Sequence, residues 1–329
     1  MSAPRLAPSA PRVALVGATG IVGETVLRVM EERGFPVSTL LPLGSARGAG
    51  TRIRFRGNEL EVREATPASL RGADLVFFAA TGELSRTLAP AAAEAGAVAI
   101  DKSSTWRLAE HVPLVVPEIN ASALRTHRGI LACPNCTTIG LVMVLEPLRR
   151  AAGLAHVALT TLQAASGAGR AGLEALAGDA SAFPRPLAGN VLPQCDGFRG
   201  EETLEEHKLR DETRKILALP ELPVTATCVR VPVAVGHSAT ILVETERPLA
   251  PEAAIEALQA FPGLRVASGT DYATPLEVAG RDEVFVGRVR RDPTHGRRLW
   301  LWCVVDNLRK GAATNAVQIA EELLAMRAP

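Results

Sequence analysis

The chain has 329 residues, of which 47% are hydrophobic and 22% charged, and its formal net charge is +1. This length predicts two domains, each with its own core. A charge so close to zero argues against long nucleic acid or an anionic membrane as a partner, because both select a strongly basic face.

The first segment, residues 1–11, is rich in Pro and Ala and predicts a flexible tail without the apolar core of a secretory signal. No later run approaches the roughly twenty uninterrupted apolar residues that a transmembrane helix needs. The five cysteines are an odd number spread through a long chain, which is typical of reduced thiols. These features predict a cytoplasmic protein.

Segment 12–34, RVALVGATGIVGETVLRVMEERG, runs from a short β-branched strand through glycines into apolar residues at helical spacing. Gly17, Gly20 and Gly23 form G-x-x-G-x-x-G, a close relative of the dinucleotide fingerprint. Glycines allow the tight turn and let a pyrophosphate approach the helix N-terminus. The segment predicts a βαβ nucleotide site; a tight turn without a ligand is the alternative.

The second strand, in VSTLLPLG (residues 37–44), leads into the loop GSARGAG. No Asp or Glu lies between Glu32 and Glu59, so the acid that binds the ribose 2′-hydroxyl of NAD is missing. Ser45 and Arg47 stand where a 2′-phosphate would bind, which predicts NADP. The alternative is that Arg47 is an ordinary solvated arginine.

Apolar runs at 73–80 and 97–103 flank a helical segment at 84–96, and this alternation predicts a mostly parallel sheet. We therefore predict an α/β architecture with a Rossmann-like NADP-binding domain at 12–136. From about Val157 the strand-like stretches lengthen, which predicts an α+β catalytic and dimerisation domain with a mixed sheet at 137–308. Residues 309–329 predict a helix that packs back on the first domain.

The segment ACPNCTTIG, residues 132–140, contains Cys133 and Cys136. No metal is predicted, because a structural zinc site needs a second close pair of ligands and the other three cysteines are isolated. A dithiol redox switch remains an alternative. The helical pattern after Cys136 places this residue at a helix N-terminus, where the dipole stabilises a thiolate. Cys133 is predicted to be a small buried hydrophobe.

Ordered motifs over nearly the whole chain resemble those of aspartate-semialdehyde dehydrogenase. They are VGATGIVG, SARGAG, DKSSTWR, PEIN, CPNCTTI, QAASGAG, NVLPQ, EEHKLRDETRKIL, TCVRVPVAVGHS, FVGRVR and VVDNLRKGAATNAVQIAE. The resemblance implies reduction of L-aspartyl 4-phosphate by NADPH to L-aspartate 4-semialdehyde and phosphate, on the route to lysine, threonine and methionine. It also implies a homodimer or homotetramer joined through the second domain.

The resemblance implies catalytic roles for three residues. Cys136 corresponds to the nucleophile that forms a thioester, Gln163 to the residue that orients the acyl group, and His237 to the acid/base. The implied substrate contacts are with the carboxylate, the amino group and the phosphate, and are made by Arg230, Glu205, Lys208, Arg107 and Asn135. The implied cofactor contacts are Gly17, Thr19, Gly20, Ile21, Val22, Gly23, Ser45, Arg47, Ser166, Gly167 and Asn315.

These residue types suit the chemistry. An acyl phosphate is a good electrophile for a thiolate, and the resulting thioester accepts a hydride. Histidine titrates near neutrality, and the planar guanidinium of arginine matches a carboxylate. Considered singly, His237 would more often be a hydrogen-bonded strand-end residue, Arg230 a surface cation, and the EEHK segment a solvated helical face.

Two positions depart from the family pattern. Lys102 stands where the family commonly has Asn, and it either adds charge near the phosphate or points away. Gly48 stands where a serine is often found, so a 2′-phosphate would lose one hydroxyl contact.

Two rival functions stay open at this point. N-acetyl-gamma-glutamyl-phosphate reductase shares the glycine turn and the nucleophilic cysteine, but Glu205 suits a free ammonium and not an acetylated amine. A non-catalytic nucleotide sensor or thiol switch would not need Cys136, Gln163 and His237 together.

Overall fold

The computed structural model describes residues 10–178 and 182–326. Most of the predicted flexible tail, residues 1–9, lies outside the described residues, as do residues 327–329 of the predicted C-terminal helix. The chain divides into two compact units, residues 135–311 forming one and the residues on either side of that range forming the other.

The first unit is built on a parallel sheet. Its elements before residue 134 are β1 (Arg12–Val16), α1 (Ile21–Glu32), β2 (Thr39–Gly44), β3 (Arg52–Phe55), β4 (Asn58–Glu61), β5 (Arg63–Glu64), β6 (Leu75–Phe78), α2 (Gly82–Glu94), β7 (Val98–Asp101), α3 (Pro117–Asn120) and β8 (Ile130–Ala132), with 3₁₀ turns at Ala46–Gly48 and Ala121–Thr126. The sheet order is β5–β2–β1–β6–β7–β8 with parallel neighbours throughout. Strands β3 and β4 form a separate antiparallel hairpin. Every residue of β6 and β7 is buried, as expected for a parallel sheet covered on both faces.

The glycine turn between β1 and α1 is held against the end of β2. The N–H groups of Gly17 and Ala18 donate to the carbonyl oxygen of Leu43 at 2.8 and 3.1 Å. Gly17 has φ +88, a backbone conformation that favours glycine. The turn therefore lies at the carboxyl ends of the strands, where open α/β sheets bind nucleotides.

The second unit contains a mixed sheet. Its elements are α4 (Cys136–Ala152), β9 (His156–Gln163), α5 (Gly169–Glu174), β10 (Phe198–Arg199), β11 (Glu202–Thr203), α6 (Leu204–Leu217), β12 (Val224–Arg230), β13 (His237–Glu244), α7 (Pro251–Gln259), β14 (Leu264–Val266), α8 (Pro275–Val278), β15 (Val284–Arg291) and β16 (Arg298–Val305), with 3₁₀ turns at Ala165–Ala168 and Ala175–Ala177. The strand order is β12–β9–β13–β16–β15–β14. The two outer pairs are parallel and the inner pairs antiparallel. The predicted fold class, a Rossmann-like domain with a second mixed-sheet domain, is confirmed.

Two helices of the second unit, α4 and α6, carry the predicted site residues Cys136, Glu205 and Lys208. Helix α4 packs against β15, β16 and α6. Helix α6 begins with a capping box, in which Thr203 and Glu206 each bind the other's backbone N–H at 3.3 and 2.7 Å. This capping fixes where α6 starts and hence which of its residues face α4.

A π-helical turn at Arg309–Ala313 leads into α9 (Thr314–Ala325). Within the first unit α9 packs against α1, α3 and β7. The guanidinium of Arg33 on α1 binds the carboxylate of Glu321 on α9 at 2.6 Å. Among the described residues, no helix combines the length and the apolar character needed to cross a membrane.

Candidate active site

Cys136 is the first residue of α4 and is half-buried, whereas the other four cysteines are buried. The helix is capped by Asn135, whose Oδ1 accepts the N–H groups of Thr137 and Thr138 at 2.9 and 3.2 Å. A Cβ on Gly311 would lie 3.1 Å from the Cβ of Cys136, so glycine allows a close backbone approach there. The predicted position at a helix N-terminus is thus found.

His237 begins β13 and is 1% exposed. Its Nδ1 accepts the backbone N–H of Ala164 at 3.0 Å. Because Nδ1 acts as an acceptor, the proton of the neutral imidazole is carried by Nε2. The ring therefore presents Nε2–H as a donor.

Glu205 joins two of the predicted residues through one oxygen. Its Oε1 accepts from Asn135 Nδ2 at 2.9 Å and from Gln163 Nε2 at 3.2 Å. Its Oε2 accepts from Lys208 Nζ at 3.2 Å, and Lys208 also binds Asp196 at 2.6 Å. Burial disfavours the Lys208 ammonium, but the charges of Glu205 and Asp196 outweigh this effect and raise its pKa, so Lys208 is a cation.

Arg230 ends β12 and is a buried cation, 6% exposed. Its Nη1 donates to the carbonyl oxygen of Ala164 at 2.7 Å, and its guanidinium carbon lies 5.5 Å from the centre of the Phe183 ring. Within the described residues its Nε has no hydrogen-bond partner. A buried guanidinium with an unused donor edge is suited to bind an anion.

Arg230 and His237 face one small space above Gly167. A Cβ on Gly167 would lie 2.6 Å from Arg230 Nη1 and 3.1 Å from His237 Nε2. The absence of a side chain at Gly167 therefore leaves room beside both donors. Ser166, the neighbouring predicted cofactor contact, is buried and exchanges hydrogen bonds with Asn307 at 3.0 and 3.2 Å.

The predicted cofactor residues of the first unit lie on two adjoining loops. A Cβ on Gly17 or Gly23 would overlap backbone atoms, so these two positions admit glycine only. Ile21 and Val22 open α1 directly after Gly20. A Cβ on Gly48 would lie 3.7 Å from Thr19 Oγ1 and 3.9 Å from Ser45 Oγ, so the loop after β2 lies against the glycine turn. Arg47 on this loop is exposed.

Two predicted contact residues, Arg107 and Asn315, use polar groups in hydrogen bonds within the protein. The guanidinium of Arg107 donates from Nε to the carbonyl oxygen of Cys133 at 3.0 Å and from Nη2 to that of Lys102 at 2.7 Å. Asn315 is fully buried, and its Nδ2 donates to the carbonyl oxygen of Val115 at 2.9 Å and to Cys133 Sγ at 3.3 Å. Their roles toward substrate and cofactor stay predictions.

The remaining four thiols are buried. Cys133 is fully buried, as predicted for a small hydrophobe. Burial raises the pKa of both Cys195 and Cys303 to about 12, and it also raises that of Cys228. In the part of the chain that the structure describes, no three His, Cys, Asp or Glu side chains cluster as a metal site requires.

Several residues around the site escaped the sequence analysis. Each of them contacts or adjoins another site residue, and no particular residue type is typical of that role. Only the seven-residue spacing from Glu205, which returns to the same helix face, could have indicated one of them. They are Phe183, Asp196, Glu212, Asn307 and Gly311.

Two family models match the chain. Residues 12–127 match the semialdehyde dehydrogenase NAD binding domain, and residues 145–310 match the semialdehyde dehydrogenase dimerisation domain. The chain is 42% identical to aspartate-semialdehyde dehydrogenase of Bacillus subtilis over 94% of its own length and 96% of the relative's. It is 45% identical to that of Aquifex aeolicus, with 95% and 98% covered.

A solved structure gives the same result. The structure of aspartate semialdehyde dehydrogenase II from Vibrio cholerae, complexed with ASA, is 42% identical and superposes with a TM-score of 0.94 over 97% of this chain and 99% of that one. The chain therefore belongs to the aspartate-semialdehyde dehydrogenase family of NAD(P)-dependent oxidoreductases.

Proposed function

We propose that this protein is an NADP-dependent aspartate-semialdehyde dehydrogenase that converts L-aspartyl 4-phosphate to L-aspartate 4-semialdehyde and phosphate through a thioester on Cys136. One observation carries the proposal. In the second unit, a half-buried cysteine at a helix N-terminus is adjoined by a hydrogen-bonded set comprising Asn135, Gln163 and Glu205. Arg230 and His237 share the neighbouring space above Gly167.

The substrate's fixed charges match two buried groups. Arg230 would bind the α-carboxylate through its unused Nε edge. Glu205 is 6% exposed and accepts hydrogen bonds from Asn135, Gln163 and Lys208. Its carboxylate would also accept one from the α-ammonium of the substrate. An acetylated amine would bring no positive charge to this carboxylate, which disfavours the acetylglutamyl substrate.

The first chemical step is acyl transfer. The Cys136 thiolate attacks the acyl carbon and forms a C–S bond. The bond between the acyl carbon and the bridging phosphate oxygen breaks, and phosphate leaves. The Nε2 of Gln163 donates to Glu205, and this hydrogen bond fixes the orientation of the amide that would contact the acyl group. Lys208, a cation, would attract the leaving phosphate together with Asn135 of the same unit.

The second step is reduction of the thioester, for which bound NADPH supplies the hydride. Negative charge then develops on the former carbonyl oxygen. His237 donates toward that oxygen through Nε2–H, while Nδ1 stays fixed by Ala164. The tetrahedral oxyanion then collapses: its C=O bond re-forms and the C–S bond breaks, which releases the aldehyde and the Cys136 thiolate without net proton transfer.

The first unit supports NADP as the cofactor. The glycine turn leads directly into the N-terminus of α1, where Gly20 as N-cap makes no side-chain capping hydrogen bond, and helix N-termini suit a pyrophosphate. No carboxylate lies between Glu32 and Glu59 to repel a 2′-phosphate, and Arg47 is exposed on the loop that follows β2. A serine at position 48 would place its Cβ between Thr19 and Ser45, so Gly48 removes one hydroxyl without removing the other two.

The proposal is tested by following NADPH absorbance with L-aspartate 4-semialdehyde, with and without phosphate, and with NAD in place of NADP. We expect phosphate-dependent reduction of NADP, and we expect Cys136→Ser to lower turnover by at least about 10³-fold while NADP binding is unchanged. Turnover that survives in this variant would refute the thioester. Preference for N-acetyl-L-glutamate 5-semialdehyde would refute the substrate, and preference for NAD would refute the cofactor.

The outer face of the mixed sheet supports a homodimer. Strand register places Thr160, Thr240 and Trp302 side by side, with Leu242 and Trp300 one pleat away, and all five are only half-buried. A cleft of about 280 Å³ opens beside Trp302. We propose that two copies pair through this face, and we expect Trp302→Glu to yield monomers in sedimentation velocity; an unchanged oligomer would exclude the face.

We also propose a cytoplasmic location. All five cysteines are free thiols, as is typical of a reducing compartment. Recovery of the enzyme in a periplasmic or membrane fraction of its source would refute this.

A further inference from the structure

Helix α6 carries a buried carboxylate that none of the steps above uses. Glu212 is 1% exposed, and its Oε2 accepts the backbone N–H of Asn135 at 2.7 Å. Its charge also attracts Lys215 one turn further along α6. Burying a carboxylate is costly unless it is hydrogen-bonded, so this placement implies a specific task.

Glu212 and Glu205 hold the same residue from one helix face. They are seven residues apart, which is about two helical turns, so both point toward α4. Glu205 binds the side-chain Nδ2 of Asn135 while Glu212 binds its backbone N–H. Asn135 is thus fixed at both its main chain and its side chain.

The backbone N–H of Asn135 needs a partner from outside α4. As the N-cap residue, Asn135 has non-helical dihedrals, φ −57 and ψ 144, and its carbonyl accepts the first helical hydrogen bond from Ile139 at 3.0 Å. Its own N–H precedes the helix and finds no acceptor within it. Without Glu212 this buried donor would be unpaired, and the turn that sets the start of α4 would keep only the side-chain hydrogen bond to Glu205 as its anchor to α6.

We propose that Glu212 is a positioning residue for the nucleophile: by holding the N–H of Asn135, it fixes the N-cap of α4 and thereby the place of the Cys136 thiol at the helix end. The inference rests on the proposed function, in which Cys136 forms the thioester. A displacement of about 1 Å between reacting atoms can cost about 100-fold in rate, so small movements of this turn matter. What is required of Glu212 is an acceptor oxygen at the right place, and not its charge.

Three substitutions separate the oxygen from the charge. Glu212→Gln keeps an acceptor oxygen at the same reach without the charge, and we expect kcat within about 5-fold of wild type. Glu212→Asp keeps the charge but withdraws the oxygen by one bond, about 1.5 Å. Glu212→Ala removes both. For Asp and Ala we expect kcat to fall by about 30- to 100-fold, with KM for aspartate semialdehyde changed less than about 3-fold.

Glu146 provides the matched control. It is a buried carboxylate on α4 itself, 2% exposed, and it binds Arg149 and Arg150 at 2.7 Å each. Glu146→Ala removes a buried carboxylate and is expected to lower the melting temperature while kcat stays within about 2-fold.

The second measurement is independent of the substrate. The rate of alkylation of Cys136 by iodoacetamide, followed by mass spectrometry across pH 6 to 9, is expected to fall about 10-fold for Glu212→Asp and Glu212→Ala but not for Glu212→Gln or Glu146→Ala. Folded Glu212→Asp protein with wild-type kcat and alkylation would overturn the proposal, as would a Glu212→Gln variant as impaired as Glu212→Asp. If wild-type protein fails to reduce NADP with aspartate semialdehyde, the proposed function fails, and the alkylation series still decides the role of Glu212.

Discussion

Arg230 offers a direct test of substrate recognition, because the structure separates its binding role from its structural one. Among the described residues, this buried guanidinium has no partner for its Nε and is held by one hydrogen bond to Ala164 and by its contact with the Phe183 ring. We consider Arg230→Met, which keeps most of the apolar volume and removes the charge.

The expected loss follows from the contacts with the substrate carboxylate. Each hydrogen bond between charged groups contributes about 1.5–3 kcal/mol, so a two-pronged contact gives about 3–6 kcal/mol. Since about 1.36 kcal/mol corresponds to a factor of ten, kcat/KM for aspartate semialdehyde should fall by about 10²–10⁴-fold. Arg230→Lys keeps a point charge without the planar fork, so its kcat/KM should lie between those of the wild type and of Arg230→Met.

The same substitution should leave the fold intact. Loss of the Ala164 hydrogen bond costs about 1 kcal/mol, but the variant no longer buries a guanidinium whose Nε is unsatisfied. These effects oppose each other, so we expect a small change in melting temperature. Activity and stability are thereby expected to separate.

The decisive assay compares two aldehydes. 3-Aminopropanal is aspartate semialdehyde without its carboxylate, and it should be turned over equally slowly by the wild type and by Arg230→Met. If the variant instead slows both aldehydes by the same factor, Arg230 acts through the architecture of the site and the assigned carboxylate contact is wrong.

Two further predictions follow from the geometry around the site. Gly167→Ala would place a Cβ 2.6 Å from Arg230 Nη1, so we expect kcat/KM to fall by about 10- to 100-fold with the fold retained by circular dichroism; wild-type activity would show that the space above Gly167 is not used. Because a raised pKa keeps a thiol protonated, Cys195 and Cys303, with pKa values of about 12, should not react at pH 8, and brief iodoacetamide treatment should label Cys136 alone in native protein. A second labelled cysteine in the peptide map would contradict the prediction that only Cys136 reacts.

The parts of the fold that were predictable are those with an apolar period. The strand–glycine–helix opening and the buried strands β6 and β7 stand out because parallel strands covered on both faces are continuous apolar runs. The hairpin formed by β3 and β4 went unpredicted because each strand has only four residues. Ile53 and Phe55 alternate with charged residues in β3, but β4 has a single apolar residue, Leu60. Glu212 likewise lies in a segment with several acids, and residue type alone does not distinguish the one that is buried.

The arrangement of the site depends in addition on backbone groups, which have no residue type at all. Ala164 donates its N–H to His237 Nδ1 and accepts from Arg230 Nη1 through its carbonyl. One alanine thereby sets the tautomer of the imidazole. It also engages Nη1 of the guanidinium, so that Nε is available to a substrate. Any residue except proline could donate and accept in the same way, so no motif at position 164 could reveal this function. The chemistry could be anticipated from Cys136, His237 and Arg230, but which atom of each faces the substrate is decided by the main chain between them.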